Sequence, residues 1–419
     1  MMRATKDSGI AWIGDIPGCW EIDKLKYHLK RNEPRNPGEV VVLSLYRELG
    51  VIPKDSRDDN HNVTSEDTSK YKYVRPGNFV INKMKAWQGS VAVSEYEGIV
   101  SPAYFVYEFT DASFFKRYFH YLLRSCYKDE FMRLSGGIRV GQWDLPAEAL
   151  ENTPVLIPPM DKQQRIADFL DAKCAEIDAL ATDIQAQIDT LEQYKRSVIT
   201  ETVTKGLNPD AEMKDSGVFY MAPMNATWRL TKIGYICSKL SRSFAPEDTA
   251  LICSNKGKVQ VRADDLTGIM VSDDNAMQGI RSGDIAIHGM DTWHGAIALS
   301  EYDGKITRVV HVCDSTEDKR FIVYYMQHLA FQGVYKLISN GVRGNTSDFR
   351  SWDKVRDIWI AIPETKEEQA AICDYLDSQC TAVEEVIATK KEQLEVLGEY
   401  KKSLIFEYVT GKKEVPCID

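Results

Sequence analysis

The sequence predicts α+β (mixed α/β) globular domains, tandemly duplicated and joined by two long antiparallel coiled-coil helices. Three observations carry this expectation. The chain has 419 residues, enough for two or three domains each with its own core. Its second half repeats its first at an offset near 206 residues. Each copy closes on a long stretch with heptad apolar spacing, the pattern of helices that pack along a seam.

The repeat comes first, because it defines every other element. Gln163 to Thr204 aligns without a gap on Gln369 to Thr410, with identities such as Ile166/Ile372, Asp171/Asp377, Cys174/Cys380, Tyr194/Tyr400 and Lys195/Lys401. Lys6-Asp7-Ser8-Gly9 recurs as Lys214-Asp215-Ser216-Gly217. Trp20, Lys24 and Tyr27 recur as Trp228, Lys232 and Tyr235. Met84, Trp87 and Gly89 recur as Met290, Trp293 and Gly295. One unit of about 205 residues has been duplicated, a period too long for a solenoid.

The globular parts read as short β-rich runs between Gly, Pro and Asn punctuation: Val40–Leu43, 79–81 and Ala103–Phe109. Phe114–Arg133 and Phe321–Leu337 read as helices. Each globular part ends in an apolar strand closed by proline, Val155–Pro158 and Ile358–Pro363. Asp161–Lys205 then contains neither Pro nor Gly. Leu170, Ile177, Ile184, Leu191 and Val198 form one heptad series, and Cys174, Ala181, Ile188 and Lys195 the other. At 1.5 Å per residue that is a rod of roughly 65–70 Å, stopped by Gly206 and Pro209. In the second copy Lys390 stands where Ile184 stood. A lone helix of this kind needs a partner, and the other copy is the nearest one. Antiparallel rods would hold the globular parts at opposite ends. The expected domains are 1–156, 157–207, 208–361 and 362–419, alternately globular and helical.

Composition narrows the function. Hydrophobic residues are 43% and charged residues 27%, an ordinary globular balance. No apolar run is long enough to span a membrane, and no apolar leader is expected at Met1. Nine cysteines without a C-x-x-C pair suggest reduced thiols in the cytoplasm. Net charge is −10, which argues against a simple nucleic-acid binder. Residues 1–150, however, carry 21 basic and 20 acidic side chains, so a basic face there remains open. The acid concentrates in the two helical stretches.

The chain shows no H-E-x-x-H, no phosphate-binding loop ending G-K-[ST] and no G-x-S-x-G elbow. No catalytic residue, metal or cofactor is assigned to it. What remains suits nucleic-acid binding. Lys83-Met84-Lys85-Ala86-Trp87-Gln88-Gly89 and its counterpart His288–Gly295 combine basic, aromatic and glycine residues at matching places. Ser135–Arg139 and Ser339–Arg343 are glycine-rich turns presenting an arginine. Glycine lets backbone approach a phosphate, and arginine reaches a phosphate or a guanine edge. The candidate contacts are therefore Lys83, Lys85, Arg139, His288 and Arg343. The matched tryptophans read better as core. A standalone scaffold that binds protein or RNA, with rods as spacers, is the other reading these residues allow.

Over its whole length the chain resembles the specificity subunit of Type I restriction–modification enzymes. The resemblance rests on the duplicated architecture and on the junctions Ile157-Pro158-Pro159…Gln163-Gln164…Ile166 and Ile362-Pro363…Glu368-Gln369…Ile372. It implies a DNA-binding, non-catalytic subunit whose two target-recognition domains each read one half of a bipartite, gapped double-stranded DNA target. The helical pair would set the gap and dock two modification (methyltransferase) subunits. S-adenosylmethionine, ATP and Mg would belong to those subunits and to two restriction (motor-nuclease) subunits.

Overall fold

The computed structural model describes residues 4–38, 40–46, 50–56, 64–65, 67–137, 143–262, 276–339 and 349–416. They form two compact units, Met1–Ile184 with Glu392–Asp419, and Gln185–Lys391. The fold class is the expected one, an α+β globular part in each unit with long helices at Met160–Lys205 and Lys366–Val409. The expected domain boundaries cut each helix off as its own region. The structure instead divides each helix between the two units.

In the first unit a four-stranded antiparallel sheet orders Leu29–Arg31, Tyr104–Phe109, Phe79–Asn82 and Val91–Val93. Glu21–Lys24 pairs with Pro154–Ile157, so the start of the globular part meets its end just before the long helix. The second unit repeats both features. Its sheet orders Cys237–Lys239, Val310–Ser315, Ile285–His288 and Ile297–Leu299, and Arg229–Lys232 pairs with Trp359–Ile362. A second sheet there contains one parallel pair, Ala250–Ser254 with Gly304–Thr307.

Three local expectations need correction. The stretch Phe114–Arg133 is two helices, Lys116–Cys126 and Lys128–Leu134. The break falls at Tyr127, whose ring is fully buried against Trp12, so side-chain packing redirects the chain. Phe321–Leu337 breaks at Gly333, which takes φ 72°, a conformation that ends a right-handed helix. The strand expected at Val40–Leu43 lies at Leu43–Tyr46, because Val41 is exposed while Leu43 enters the core.

The seam is built within each unit. In the first, Ile166, Leu170, Cys174 and Ile177 bury against Leu404, Ile405 and Val409, and Phe169 stacks near Tyr408. In the second, Ile199 and Val203 bury with Ile372, Leu376 and Cys380. Rising numbers meet falling ones, so the helical segments run antiparallel. Three lysines occupy seam positions, and two of them find acidic partners. Lys401 pairs with Asp178 at 2.6 Å, and Lys195 pairs with Glu384. Lys390 donates to Gln187 at 2.5 Å. Half-exposed pairs of this kind contribute little to stability; a polar group at a seam position specifies register and orientation.

Glutamine joins each globular part to its helix. Gln163 is fully buried. Its amide oxygen accepts from the Phe115 N–H at 2.9 Å, and its nitrogen donates to the Ser113 and Pro158 carbonyls at 2.8 Å. Gln369 does the same for Asp318 N–H, the Glu317 carboxylate and the Pro363 carbonyl. Matched acids complete the joint. Asp171 accepts from Tyr121 and pairs with Arg117, as Asp377 does with Tyr324 and Arg320.

Replacing Gln163 by Leu should leave one backbone N–H and two carbonyls buried without partners. A loss of roughly 2–4 kcal/mol is expected, read from the denaturant midpoint. A change within experimental error would mean the glutamine is not the joint.

Candidate nucleic-acid interface

The candidate residues of the first unit follow the buried strand Phe79–Asn82. The Asn82 side chain accepts from the Met84 N–H at 3.1 Å and its carbonyl from the Lys85 N–H at 3.0 Å. The chain then makes a 3₁₀ turn at Ala86–Gln88, ended by Gly89 at φ 83°. This turn holds Met84 and Lys85 out in solvent. Lys83 is tied back, its ammonium 2.9 Å from Asp144. Lys85 has no side-chain partner among the described residues.

Arg139 lies outside the described residues, as does Arg343. The described ends of the first of the segments that carry them pair with each other and meet the turn. Gly136 and Asp144 exchange two backbone hydrogen bonds, and Leu145 N–H donates to the Lys83 carbonyl at 3.0 Å. The glycine-rich segment thus starts and finishes beside Lys83. The other flank carries Trp143, edge-on to Trp87 at 5.3 Å. Trp87 Nε1 donates to the Met84 carbonyl at 3.0 Å, so this ring supports the turn.

The second unit builds the same frame with other side chains. His288 ends the strand Ile285–His288 and does the work of Asn82. Its Nδ1 accepts from the N–H groups of Met290 at 3.3 Å and Asp291 at 3.1 Å. The 3₁₀ turn is Thr292–His294, with Gly295 at φ 80°. Phe349 N–H donates to the Gly289 carbonyl at 3.0 Å, and His311 Nε2 donates to the Phe349 carbonyl at 2.7 Å. A Cβ on Gly289 would sit 2.8 Å from that carbonyl. This close approach explains why a glycine stands where the first unit has Lys83.

The five candidates therefore divide. Lys83 and Lys85 share one turn, Lys85 free toward solvent and Lys83 already paired. His288 is a half-buried turn cap with one ring nitrogen engaged. Sequence reasoning missed Asp144, which neutralises Lys83, and exposed Met84 beside Lys85. Of the matched tryptophans expected in the core, Trp20 and Trp228 are fully buried, whereas Trp87 and Trp293 are only half-buried beside their turns.

Burial holds His288 below the ordinary imidazole range, with nearby Asp291 pulling weakly the other way. Both backbone N–H groups require a neutral Nδ1 acceptor. A depressed folded pKa leaves stability whole above about pH 6.5 and removes it as pH falls below that value, where only the unfolded state gains the proton. Burial pushes His120 and His328 down to about 4 as well, with the same sign. Stability should therefore fall between pH 7 and pH 5. His288→Asn should keep the cap and flatten part of that slope, whereas His288→Ala should lose about 1 kcal/mol at pH 7. Urea midpoints at the two pH values decide the matter; equal slopes for Asn and wild type would refute the cap's role in the pH response.

Comparison with known proteins agrees with this architecture. Residues 21–190 match the family described as Type I restriction modification DNA specificity domain. The protein assigned as the type I restriction enzyme MjaX specificity subunit of Methanocaldococcus jannaschii is 19% identical, over 96% of each chain. A solved chain from work on complex assembly and conformational transition of the type I R-M system superimposes with a TM-score of 0.68 at 15% identity. It covers 95% of this chain and 99% of that one. The chain is thus similar to Type I specificity subunits, through a family match over residues 21–190 and a shared fold along nearly its whole length.

Proposed function

We propose that this Type I specificity-subunit relative is the DNA-recognition subunit of a restriction–modification complex, each unit reading one half of a bipartite, gapped target. The observation that carries the reading is the pair of matched frames. In both units a strand end, a 3₁₀ turn and the described end that follows an arginine-bearing, glycine-rich segment come together, while the side chains on them differ. One scaffold used twice with different side chains suits two different half-sites. Lys85 would meet phosphate, and Arg139 and Arg343 would reach base edges or phosphate.

The long helices suit two further tasks, setting the gap and docking two copies of a modification subunit. Beside the seam, Leu180, Gln187 and Tyr194 follow at seven-residue spacing, with Gln187 accepting from the seam lysine Lys390, and Val386, Gln393 and Tyr400 stand at the matching places of the second helix. All six are exposed. The same exposed stripe occurring twice suits one partner bound twice. The chain itself would be non-catalytic. S-adenosylmethionine would serve the modification subunits, and ATP and Mg two restriction subunits. No described helix is long and apolar enough to cross a membrane, and we place the complex in the cytoplasm.

The test is methylome sequencing of DNA from cells co-expressing this chain with its modification subunit. A two-part motif with a fixed gap is expected; its absence from an associated, folded complex would favour a protein- or RNA-binding scaffold. Arg139→Ala should relax or weaken one half-site only and Arg343→Ala the other, by about 1–3 kcal/mol each. Equal loss at both halves from either change would indicate a folding defect. Adding one heptad to both helices should shift the preferred gap; an unchanged gap would rule out helix length as the ruler.

A further inference from the structure

The turns after the two matched strands have exchanged their side chains, Lys85 of the first unit standing as Asp291 in the second. One exposed stretch has not changed. Ser94-Glu95-Tyr96 recurs as Ser300-Glu301-Tyr302, followed by an acid in both units, Glu97 and Asp303. Both Glu-Tyr pairs face solvent, Tyr96 being 44% and Tyr302 42% exposed. A turn opened by an exposed arginine lies against each stretch: Arg75 opens residues 75–78, and Arg281 opens residues 281–284. Gly77 N–H donates to the Ser94 carbonyl at 2.6 Å, and Gly283 N–H to the Ser300 carbonyl at 2.7 Å.

The fold accounts for the serine and for the glycine that closes each stretch. Ser94 Oγ donates to the Tyr96 carbonyl at 2.8 Å and accepts from the Tyr96 N–H at 3.2 Å. Ser300 does the same for Tyr302, at 2.8 and 3.3 Å. A Cβ on Gly98 would sit 2.4 Å from the Val41 carbonyl oxygen, and one on Gly304 2.4 Å from that of Thr249. The fold does not account for the glutamate and the tyrosine. Neither side chain of either pair has a polar partner among the described residues. An exposed side chain that nothing in the fold engages is free to vary. Its retention in both units points to a partner outside the chain, met at both.

The chemistry selects protein over nucleic acid. Each place sets two carboxylates beside one arginine, and Arg75 already lies over the Tyr73 ring at 5.5 Å. That balance repels phosphate. Position agrees. Ser94 N–H donates to the Asn78 carbonyl at 2.8 Å, at the start of the strand Phe79–Asn82, whereas Lys85 follows the end of that strand. A tyrosine ring, apolar on its faces and polar at its tip, is a favoured anchor between proteins. We propose that each unit docks one copy of a single protein species here, through Glu95 and Tyr96 in the first and Glu301 and Tyr302 in the second. The partner brings a cation to the glutamate and an apolar contact to the ring. The proposal rests on the reading of the chain as a specificity subunit, whose twice-bound partner is the modification subunit. Docking is then shared between the long helices and the globular parts.

The experiment uses the full chain co-expressed with its modification subunit. The photo-crosslinker benzoylphenylalanine, put in place of Tyr96 and separately of Tyr302, should join the chain to one and the same peptide of that subunit. Glu95→Lys combined with Tyr96→Ala should weaken binding of one copy about tenfold, the effect of removing an interface anchor. Glu301→Lys with Tyr302→Ala should do so for the other copy. The melting temperature of the free chain should not change in either variant, as for other surface substitutions. A subunit that associates but crosslinks at neither position, or at two different peptides, overturns the proposal and leaves the specificity-subunit reading standing. A crosslink to DNA alone overturns it too. Variants that melt several degrees lower while binding both copies normally would show that these side chains serve the fold, and also overturn it. A modification subunit that does not associate with the unaltered chain removes that reading and the proposal together.

Discussion

An amphipathic helix of more than forty residues cannot bury its own apolar stripe, and neither unit can cover one with its globular part alone. Each unit solves this with a segment from the other repeat. Leu404, Ile405 and Val409 come from the second copy and complete the core around Leu170 and Ile177. Ile199 and Val203 come from the first copy and complete the core around Leu376 and Cys380. The duplication is therefore more than a gene-level curiosity. A single copy would leave an apolar stripe open, and the seam lysines Lys195 and Lys401 would lose the acids that make their placement tolerable.

This constraint sorts the residues that the two copies share from those they do not. Gln163 and Gln369, Asp171 and Asp377, and the Tyr–Arg groups that meet those acids all fasten a globular part to a helix. They are buried or paired, and a change at any of them leaves a polar group stranded. The turn beyond the strand end carries no such load. Asn82 and His288 are chemically different, yet both offer one acceptor to the following N–H groups. Once that acceptor is supplied, Lys85 can become Asp291 without disturbing the frame. Identity is kept where the fold closes, and variety is free where the surface faces outward.

The same distinction explains what could be read beforehand. Heptad spacing and the 206-residue offset are long-range regularities, so the helices, the duplication and the antiparallel seam were legible from residues alone. The closing strands before Pro158 and Pro363 were legible because proline ends them. The break at Tyr127 was not, since no glycine or proline marks it and only the packing of one ring against Trp12 produces it. The role of His288 was also hidden. Periodicity cannot tell a ring that meets solvent from one that accepts two backbone hydrogen bonds. Lys83 looked like a free cation because Asp144, its partner, is sixty-one residues away in sequence.

The charge distribution follows from the same arrangement. Ion pairs such as Asp171–Arg117, Asp178–Lys401 and Asp377–Arg320 leave the net charge unchanged, but the surplus acid sits in the helical stretches. The negative net charge therefore overstates the repulsion that a nucleic acid would meet at the globular parts, where basic and acidic residues nearly balance. Binding there cannot come from a broad positive field, which is the usual source of non-specific affinity. On the proposed reading it would come from a few unpaired cations such as Lys85 on a stiff turn, with further phosphate contacts from partner subunits. On that reading the protein would hold unselected DNA weakly and leave discrimination to a small number of side chains, which is what a reader of two short half-sites requires.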